Sequence, residues 1–488
     1  MRVVFASAEL SPFAKTGGLG DVCGSLPKAL ATHGHDVVIF TPWYSDTGRW
    51  FDRNPDFSRP EAVVETTLAW GGWSAPLTIA RSHLPGTGIA VFFVVNDAFF
   101  ARETLYSFRS DGLDDNLERY TFFCRAVIRG CELLGIQPEI LHAHDWHAGL
   151  LPLYLHSGLR SVSNFSGTGS VYTIHNLSYQ GAYGPDRFAH LGLHHRYWSA
   201  DALEHYGVLN VMKGAILFSD QVTTVSPTYA REITTPEGGA GLDGILREVE
   251  GKVTGILNGI DVEEWNPATD RHLDARFERG KLLGKKICKR MLSREAGLRF
   301  DERVPLFGFV SRLVNQKGVD LLLAAIPQII AAGANVVVLG SGEGHYEESL
   351  RYYSEVFTGR MKAWIGFDNR LAHRIFGAID VLLMPSLYEP CGLNQMYALH
   401  YGALPLVRLT GGLADTVIPW NGANREVANG LGFLAPDPSD LVATAHEAIR
   451  VWKNTRLRKR LQENGMTSDF SWERSARDYE SVYERARR

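Results

Sequence analysis

Short apolar runs alternate with amphipathic stretches along the whole chain, and these runs fall into two series. The first series comprises residues 3–6, 37–40, 89–95, 140–143, 171–174 and 222–225. The second series comprises residues 306–310, 336–339, 361–365, 381–384 and 404–407. Near-continuous apolar strands joined by helices are typical of parallel sheets that helices cover on both faces. The pattern therefore predicts an α/β protein with two Rossmann-like, doubly wound domains.

A turn at residues 258–261 separates the two series, so we place the domain boundary near residue 256. The predicted domains are 1–255, joined by a C-terminal helix within 470–488, and 256–469. A charged helix is also predicted over residues 274–296. Because open α/β sheets bind ligands at the carboxyl ends of their strands, we expect the functional residues in a deep cleft that the two domains face.

Composition excludes several classes of function. The chain has 488 residues, 45% hydrophobic and 21% charged, which is an ordinary globular composition and long enough for two large domains. A formal net charge of −4 gives no electrostatic argument for binding nucleic acid or an anionic membrane. No apolar run approaches the roughly 18 residues of a membrane span. The early first strand and five cysteines without a C-x-x-C pair indicate a reduced, cytoplasmic protein without a signal peptide or structural zinc.

A glycine-rich turn, Lys-Thr-Gly-Gly-Leu-Gly-Asp at residues 15–21, lies between the first strand and a helix predicted over residues 22–32. Free N–H groups at such a turn suit a phosphate or a polar sugar. The spacing is not that of a dinucleotide fingerprint, because Cys23 occupies the position of the third glycine. Ligand contact and plain turn chemistry both stay open here.

Polar residues follow two further strands of the first series. Residues 142–147, His-Ala-His-Asp-Trp-His, have three interpretations: a metal site, a buried polar turn, or a sugar-hydroxyl site that uses Asp145. Residues 175–181 combine hydrogen-bond donors, acceptors and an aromatic ring, as a sugar site requires. A purely structural role for His175 is the alternative.

The second series is followed by charged and glycine-rich turns. Arg312 and Lys317 come after the strand at 306, where Arg suits bidentate phosphate binding, although both could be solvated surface cations. Glu389 follows the strand at 381 and is either aimed into the cleft or solvated. Tight turns occupy residues 340–344 and 410–416, and the latter repeats the Gly-Gly-Leu-x-Asp of the first turn.

Eight of these segments, in this order, resemble the family of bacterial glycogen synthases and plant starch synthases over essentially the whole chain. The matching segments are 15–19, 142–147, 173–176, 225–233, 258–261, 312–318, 389–393 and 410–416. The resemblance implies a GT-B fold and a retaining glucosyltransferase. It also implies transfer of glucose from ADP-glucose to the non-reducing end of an α-1,4-glucan, without a cofactor or a metal.

The resemblance assigns catalytic roles to five residues. Arg312 and Lys317 would hold the departing diphosphate, and Glu389 would lie near the glucose ring and its developing positive charge. His175 would contact the sugar near the reacting carbon, and Asp145 would bind its hydroxyls. Whether Glu389 is a nucleophile or an electrostatic stabiliser stays open, although a direct same-face attack needs no protein nucleophile.

The resemblance also implies a substrate-binding set. Lys15 matches the donor-binding lysine of the family, Asn210 a position near the sugar, and Tyr106 an aromatic at the nucleotide. The other candidates are Gly17, Gly18, Asp21, His144, Asn176, Gly340, Cys391, Gly392, Leu393, Gly411, Gly412, Leu413, Asp415 and Thr416. The chain departs from the family pattern at His400, where Arg or Lys is usual, and before Tyr106, where a glycine is common.

Three alternatives stay open from the sequence. The donor could be UDP-glucose, since base recognition lies in variable loops. The chain could instead be a glucan phosphorylase with pyridoxal phosphate, or a catalytically inactive glucan-binding protein. The oligomeric state and any regulation cannot be derived from these residues.

Overall fold

Two large, mainly parallel sheets form the frame of the chain, one for each series of apolar runs. The computed structural model describes residues 1–109, 111–161 and 163–488. These residues divide into a first unit, Met1–Gly259 with Trp472–Arg488, and a second unit, Ile260–Ser471. The prediction of two α/β domains built on parallel sheets is confirmed.

The first unit is built on a sheet whose strands run in the order β12-β11-β7-β6-β1-β2-β5-β4-β3. The strands of this unit are β1 (Arg2–Ala6), β2 (Asp36–Pro42), β3 (Glu61–Trp70), β4 (Trp73–His83), β5 (Ala90–Val95), β6 (Ile140–His144), β7 (Gly169–Ile174), β8 (Ala182–Tyr183), β9 (Glu204–His205), β10 (Val208–Asn210), β11 (Gln221–Thr224) and β12 (Val253–Gly255). Strands β8, β10 and β9 form a small antiparallel sheet of their own.

The helices of the first unit lie between these strands, except for the last helix of the chain, α18 (Trp472–Ala486). The others are α1 (Gly18–Thr32), α2 (Ser45–Arg53), α3 (Asp97–Phe100), α4 (Asn116–Leu133), α5 (Asp145–Ala148), α6 (Leu150–His156), α7 (Val211–Phe218), α8 (Pro227–Glu232) and α9 (Asp243–Glu248). Short 3-10 turns occupy Leu159–Ser161, Ser163–Phe165, Pro185–Leu191, His195–Tyr197 and Glu250–Lys252.

The second unit has its parallel strands in the order β15-β14-β13-β16-β17-β18. They are β13 (Leu306–Val310), β14 (Asn335–Gly340), β15 (Met361–Ile365), β16 (Val381–Met384), β17 (Leu404–Arg408) and β18 (Leu431–Phe433). The helices are α10 (Leu283–Glu295), α11 (Val319–Ala331), α12 (Gly344–Val356), α13 (Asn369–Ala378), α14 (Asn394–His400), α15 (Gly411–Thr416), α16 (Pro438–Lys453) and α17 (Thr455–Met466), with a 3-10 turn at Asn315–Lys317.

The antiparallel hairpin β3–β4 at the edge of the first sheet corrects the prediction of a purely parallel sheet. Sequence reasoning missed it because β3 has no continuous apolar run. Its residues alternate between exposed and partly buried positions, as they do when one face of an antiparallel strand meets solvent.

The predicted charged helix over residues 274–296 is also corrected, because α10 begins only at Leu283. Gly280 has a φ of +79°, in the left-handed region that ends or interrupts a right-handed helix. The helix predicted over residues 22–32 begins earlier than expected, at Gly18. No helix within the described ranges is long and apolar enough to cross a membrane.

The C-terminal helix α18 completes the core of the first unit. Its buried residues Ala476, Tyr479 and Val482 belong to the same apolar cluster as Val3 and Leu26 of β1 and α1. Residues of α18 therefore share the apolar core with the first strand, β1.

A cluster of histidines and glutamates borders that packing. His33 Nε2 lies 2.8 Å from Glu473 Oε1, and His33 Nδ1 lies 3.1 Å from Glu480 Oε2. His35 Nε2 lies 2.9 Å from Glu480 Oε1. The hydrogen bond to Glu473, followed by that to Glu480, raises the pKa of His33.

We predict that this cluster strengthens the attachment of α18 at mildly acidic pH. A raised histidine pKa gives stability that is fully present below the unfolded value of about 6.5 and is lost as pH rises through the folded value. In thermal unfolding, His33→Ala should therefore lower the melting temperature more at about pH 6 than at about pH 8. The control is His446→Ala, an exposed histidine on α16. Equal losses at both pH values for His33→Ala would contradict the prediction.

Candidate functional site

Each sheet has one point where its strand order reverses, between β1 and β6 in the first unit and between β13 and β16 in the second. The connections leaving two such adjacent strands go to opposite faces of the sheet and leave a crevice at their carboxyl ends, where α/β proteins bind ligands. Most of the predicted functional residues follow these four strands or their direct neighbours.

Glu9 organises the glycine-rich turn after β1. Its buried carboxylate accepts hydrogen bonds from the N–H of Thr16 at 2.8 Å and of Gly17 at 3.2 Å. The hydroxyl groups of Thr16 and Tyr106 donate to the other oxygen at 2.8 Å and 2.6 Å. Sequence reasoning missed Glu9, although it is the one charged residue between Val3 and Ala14, and that isolation was the available signal.

Lys15 and Asp21 lie on the same turn and form an ion pair, with 2.6 Å between Nζ and Oδ1. Both side chains are about one third exposed, so solvent screens the pair and its contribution to stability is small. A Cβ at Gly20 would lie 2.5 Å from Cβ of Lys15. The glycine therefore allows the start of α1 to pack directly against the lysine.

Asp145 begins the short helix after β6 in a strained conformation, with a φ of +53°. Its carboxylate accepts hydrogen bonds from the backbone N–H of His175 at 2.7 Å and of Asn176 at 3.4 Å. Burial raises the pKa of Asp145 to about 7, although these backbone hydrogen bonds oppose the shift. Near neutral pH this group can thus either donate or accept a hydrogen bond.

The histidines of this region are held as neutral rings. His144 Nδ1 lies 3.0 Å from His175 Nε2, and burial lowers the pKa of His175 to about 3. His142 lies deeper, between the hydroxyls of Tyr483 at 2.9 Å and Thr173 at 2.6 Å, which fits the buried-polar interpretation for that residue. Across the described parts of the chain, no group of three or more His, Cys, Asp or Glu is arranged to hold a metal ion.

Asn210 is committed to contacts within the first unit. Its Oδ1 accepts from the N–H of Lys213 at 2.9 Å and caps α7, and its Nδ2 donates to Gln180 at 2.6 Å. The side chain is buried. Through its bond to Gln180, Asn210 thus positions the turn after β7.

Tyr106 reaches the region of β6 by stacking. Its ring lies 4.9 Å from the ring of His147 at an interplanar angle of 24°. Together with the hydrogen bond to Glu9, this contact joins Tyr106 to the turns after both β1 and β6. The first unit thus brings together Lys15, Gly17, Asp21, Tyr106, His144, Asp145, His175 and Asn176.

The partly buried Lys317 and the buried Glu389 form an ion pair between the turns that follow β13 and β16. Lys317 Nζ lies 2.8 Å from Oε1 and 2.6 Å from Oε2 of Glu389. Ser386 Oγ donates a further hydrogen bond to Oε2 at 3.0 Å. Glu389 is only 4% exposed, so its interpretation as a solvated loop residue is wrong.

Arg312 differs from Lys317 in being exposed, with its Nη2 lying 3.5 Å from Oε1 of Gln316. The two cations predicted together therefore have different environments. Lys317 is fixed by Glu389, whereas the guanidinium of Arg312 lies at the surface of the unit beside the same turn. That position leaves it accessible to an anionic ligand.

The backbone of the second unit is closely packed around Glu389. Gly318, at a φ of +68°, allows the turn after β13 to approach Pro385, because a Cβ there would lie 2.0 Å from the carbonyl oxygen of Pro385. Gly411, at a φ of +46°, similarly lies against the carbonyl oxygen of Glu389, 1.9 Å from the position of a Cβ. Larger residues at either position would displace the loop that carries the carboxylate.

The glycine-rich turn at α15 uses two of its backbone donors internally. The N–H of Gly412 donates to the carbonyl of Glu389 at 3.1 Å, and that of Leu413 donates to the carbonyl of Thr410 at 3.1 Å. Thr416 Oγ1 accepts from Gln395 at 3.1 Å. These residues thus support the Glu389 loop in the described structure.

The other predicted residues of the second unit include Gly340, whose role is close packing, and Cys391, Gly392 and Leu393, which lie in the loop that leads from Glu389 into α14. Gly340 follows β14 and packs on the carbonyl of Ser311, with 2.1 Å to a Cβ position. Cys391 is buried, Gly392 has a φ of +70°, and Leu393 precedes α14. Sequence reasoning missed Arg408, which donates to the carbonyl groups of Ser386 at 2.8 Å and of Leu387.

Known protein families match both units. Residues 2–248 match the starch synthase catalytic domain, and residues 294–467 match glycosyl transferases group 1. A glycogen synthase from Anaeromyxobacter sp. (strain Fw109-5) is 42% identical over 486 residues, which is 99% of this chain and 99% of that protein. A glycogen synthase from Thermotoga maritima is 40% identical over 490 residues, covering 100% of this chain and 99% of that protein.

Two solved structures are also similar to this chain over almost their whole length. The catalytic domain of starch synthase IV from Arabidopsis thaliana, bound to ADP and acarbose, has a TM-score of 0.90 and 34% identity, covering 99% of each chain. A sucrose-phosphate synthase from Thermosynechococcus elongatus has a TM-score of 0.60 at 17% identity, over 99% of this chain and 98% of that one. The second similarity concerns the fold alone.

We predict that removing the Glu9 carboxylate releases the turn at residues 15–17. In Glu9→Ala, the N–H groups of Thr16 and Gly17 lose a charged acceptor, so their hydrogen exchange should become about ten to a hundred times faster. Glu9→Gln is the matched control, because its amide oxygen can still accept from both N–H groups while its NH₂ faces two hydroxyls. Unchanged protection of both amides in Glu9→Ala would refute the role of Glu9.

Proposed function

The chain belongs to the glycogen synthase and starch synthase family of glycosyltransferases, and we propose that it transfers glucose from ADP-glucose to the non-reducing end of an α-1,4-glucan with retention of configuration. Membership of this family makes it a hexosyltransferase. It also implies a nucleotide-sugar donor and a glucan acceptor. The finer proposals below concern the identity of the donor and the roles of individual residues.

The ion pair of Lys317 with the buried Glu389 is the observation that carries the proposed mechanism. When the bond between glucose and diphosphate breaks, negative charge develops on the diphosphate and positive charge on the sugar ring. Lys317 and the exposed Arg312 supply fixed positive charge for the leaving group, and Glu389 supplies negative charge for the ring. Groups already oriented in this way favour the transition state, because they need not reorganise during the reaction.

The hydrogen bonds of Glu389 favour an electrostatic role over a nucleophilic one. Both of its oxygens accept from Lys317, and one also accepts from Ser386. Attack on the sugar would require one oxygen to leave these partners. In the route we favour, a hydroxyl of the acceptor attacks the anomeric carbon on the face from which the diphosphate leaves. A phosphate oxygen takes the hydroxyl proton, giving the extended glucan and the nucleoside diphosphate.

The residues of the first unit are proposed to bind the sugar and the donor. His175, neutral because burial lowers its pKa to about 3, offers a hydrogen bond without adding positive charge near the reacting carbon. Asp145, whose pKa burial raises to about 7, can donate to or accept from the sugar hydroxyls. Lys15 is proposed to bind the donor, since its exposed pairing with Asp21 is easily exchanged for an anionic ligand.

ADP-glucose is the preferred donor in this proposal. The structure of the Arabidopsis starch synthase IV is bound to ADP, and its similarity to this chain extends over 99% of both. Family membership and the presence of Lys15, Arg312, Lys317 and Glu389 together argue against a phosphorylase or an inactive binding protein. A cytoplasmic location stays a prediction.

Substitution of Glu389 tests the mechanism. Glu389→Ala should lower the rate of glucose incorporation into glycogen at least about a hundredfold, because one preorganised contact to the transition state is lost. The measurement is the initial rate at saturating donor, with circular dichroism to verify folding. Glu348→Ala, an exposed glutamate on α12, is the control and should keep its rate. Near-normal turnover of Glu389→Ala would exclude this assignment.

A comparison of donors tests the proposed substrate. Initial rates with ADP-glucose should exceed those with UDP-glucose by about tenfold or more on a glycogen primer. Added chelator should leave the rate unchanged, since protein cations are proposed to hold the diphosphate. A faster reaction with UDP-glucose would replace the proposed donor, and loss of rate in chelator would reopen a metal at residues 142–147.

A further inference from the structure

The turn between β9 and β10 contains a residue that its backbone geometry disfavours. His205 of β9 pairs with Val208 of β10, so Tyr206 and Gly207 alone form the turn. Their φ angles are +50° and +84°, which is the pattern of a type I′ turn. Such turns favour Asn-Gly, and a bulky residue at the first position is a steric outlier.

The tyrosine ring is not explained by packing. Tyr206 is 89% exposed, the highest value for a large hydrophobic side chain in the described ranges. Its ring contacts that of His205 at 4.6 Å with an interplanar angle of 60°. A residue that breaks a local rule without contributing to the core is expected to have a functional reason.

The turn is fixed to the segment that carries His175. His205 Nε2 donates to the carbonyl of Gly241 at 3.1 Å, and Gln180 Nε2 donates to the carbonyl of Ala240 at 2.9 Å. Gln180 also accepts from Asn210 at the end of β10. Gln180 lies five residues after His175 in the polar turn that follows β7. The exposed ring is therefore held on the same framework as the proposed sugar-binding residues.

We propose that the Tyr206 ring is a subsite for the glucan acceptor, on which a glucose unit away from the reaction centre stacks. This inference rests on the proposed function, because it takes the acceptor from it. A glucose ring presents a face of C–H groups bordered by hydroxyls. An exposed aromatic ring held on a fixed turn matches that face. A glucan chain has many units, so contacts beyond the reacting one add affinity without involving the donor.

Replacement of Tyr206 by Asn, the residue that the turn prefers, tests whether the tyrosine serves the stability of the turn or the binding of glucan. In Tyr206→Asn, the melting temperature should stay equal or rise, because Asn tolerates the left-handed conformation. Affinity for glycogen, measured by mobility in glycogen-containing gels without donor, should fall about three- to tenfold, as expected for one lost aromatic contact. Tyr206→Phe should keep the affinity of the original protein, and the donor KM should not change in either variant.

The control is Tyr352→Ala, which removes an exposed aromatic ring from α12 in the second unit. It should leave glycogen affinity unchanged, and an equal loss there would overturn a specific role for Tyr206. Unchanged affinity in Tyr206→Asn would also overturn the subsite, as would a lower melting temperature with intact affinity. The binding assay contains no donor, so a chain that binds glycogen through Tyr206 but transfers no glucose would refute the proposed reaction and leave the subsite in place.

Discussion

The burial of the Glu389 carboxylate is the constraint on which the second unit depends. Removing an ionised group from water costs several kcal/mol unless a partner and hydrogen bonds replace the lost hydration. Lys317 provides the partner and Ser386 the hydrogen bond. The surrounding loops are shaped to hold this arrangement: Gly318 lets two turns approach, and Arg408 fixes the carbonyl groups ahead of the glutamate.

The first unit handles buried carboxylates in two other ways. Glu9 is satisfied without a cation, by two backbone N–H groups and two hydroxyls. Asp145 accepts hydrogen bonds from two backbone N–H groups, yet burial still raises its pKa to about 7. Binding of a proton therefore offsets part of the cost of burying this carboxylate. Three acidic groups at strand ends are therefore stabilised by an ion pair, by a hydrogen-bond network and by protonation. The ion pair of Glu389 suits an electrostatic role, the hydrogen bonds of Glu9 join two segments of the unit, and the carboxyl group of Asp145 can donate or accept a hydrogen bond.

Most strands of the two parallel arrays could be predicted from the sequence, because buried parallel strands such as β14 are apolar along most of their length. The short edge strands β12 and β18 were missed, because three residues are too few to form a recognisable apolar run. The hairpin β3–β4 could not be predicted, since one of its faces is polar. Strand ends also indicated Lys317 and Glu389 separately, but their pairing joins residues 72 positions apart and depends on the adjacency of β13 and β16. Glu9 was missed because its role comes from partners that no spacing rule connects. The local sequence pattern thus predicts the strands and helices and where they end. The contacts between residues at different strand ends follow from the order of the strands in the sheet, which the pattern does not give.

The return of α18 to the first unit makes the second unit an insertion within the first. Strand β1 shares a core with α18, which follows the second unit in the chain, and Tyr483 of α18 supplies a hydrogen-bond partner to His142. During synthesis the second unit has all of its residues before the first unit does. A chain that stops before Trp472 therefore leaves apolar surface beside β1 uncovered and deprives His142 of β6 of its partner Tyr483. Assembly of the first unit therefore depends on α18, which is synthesised only after the whole of the second unit.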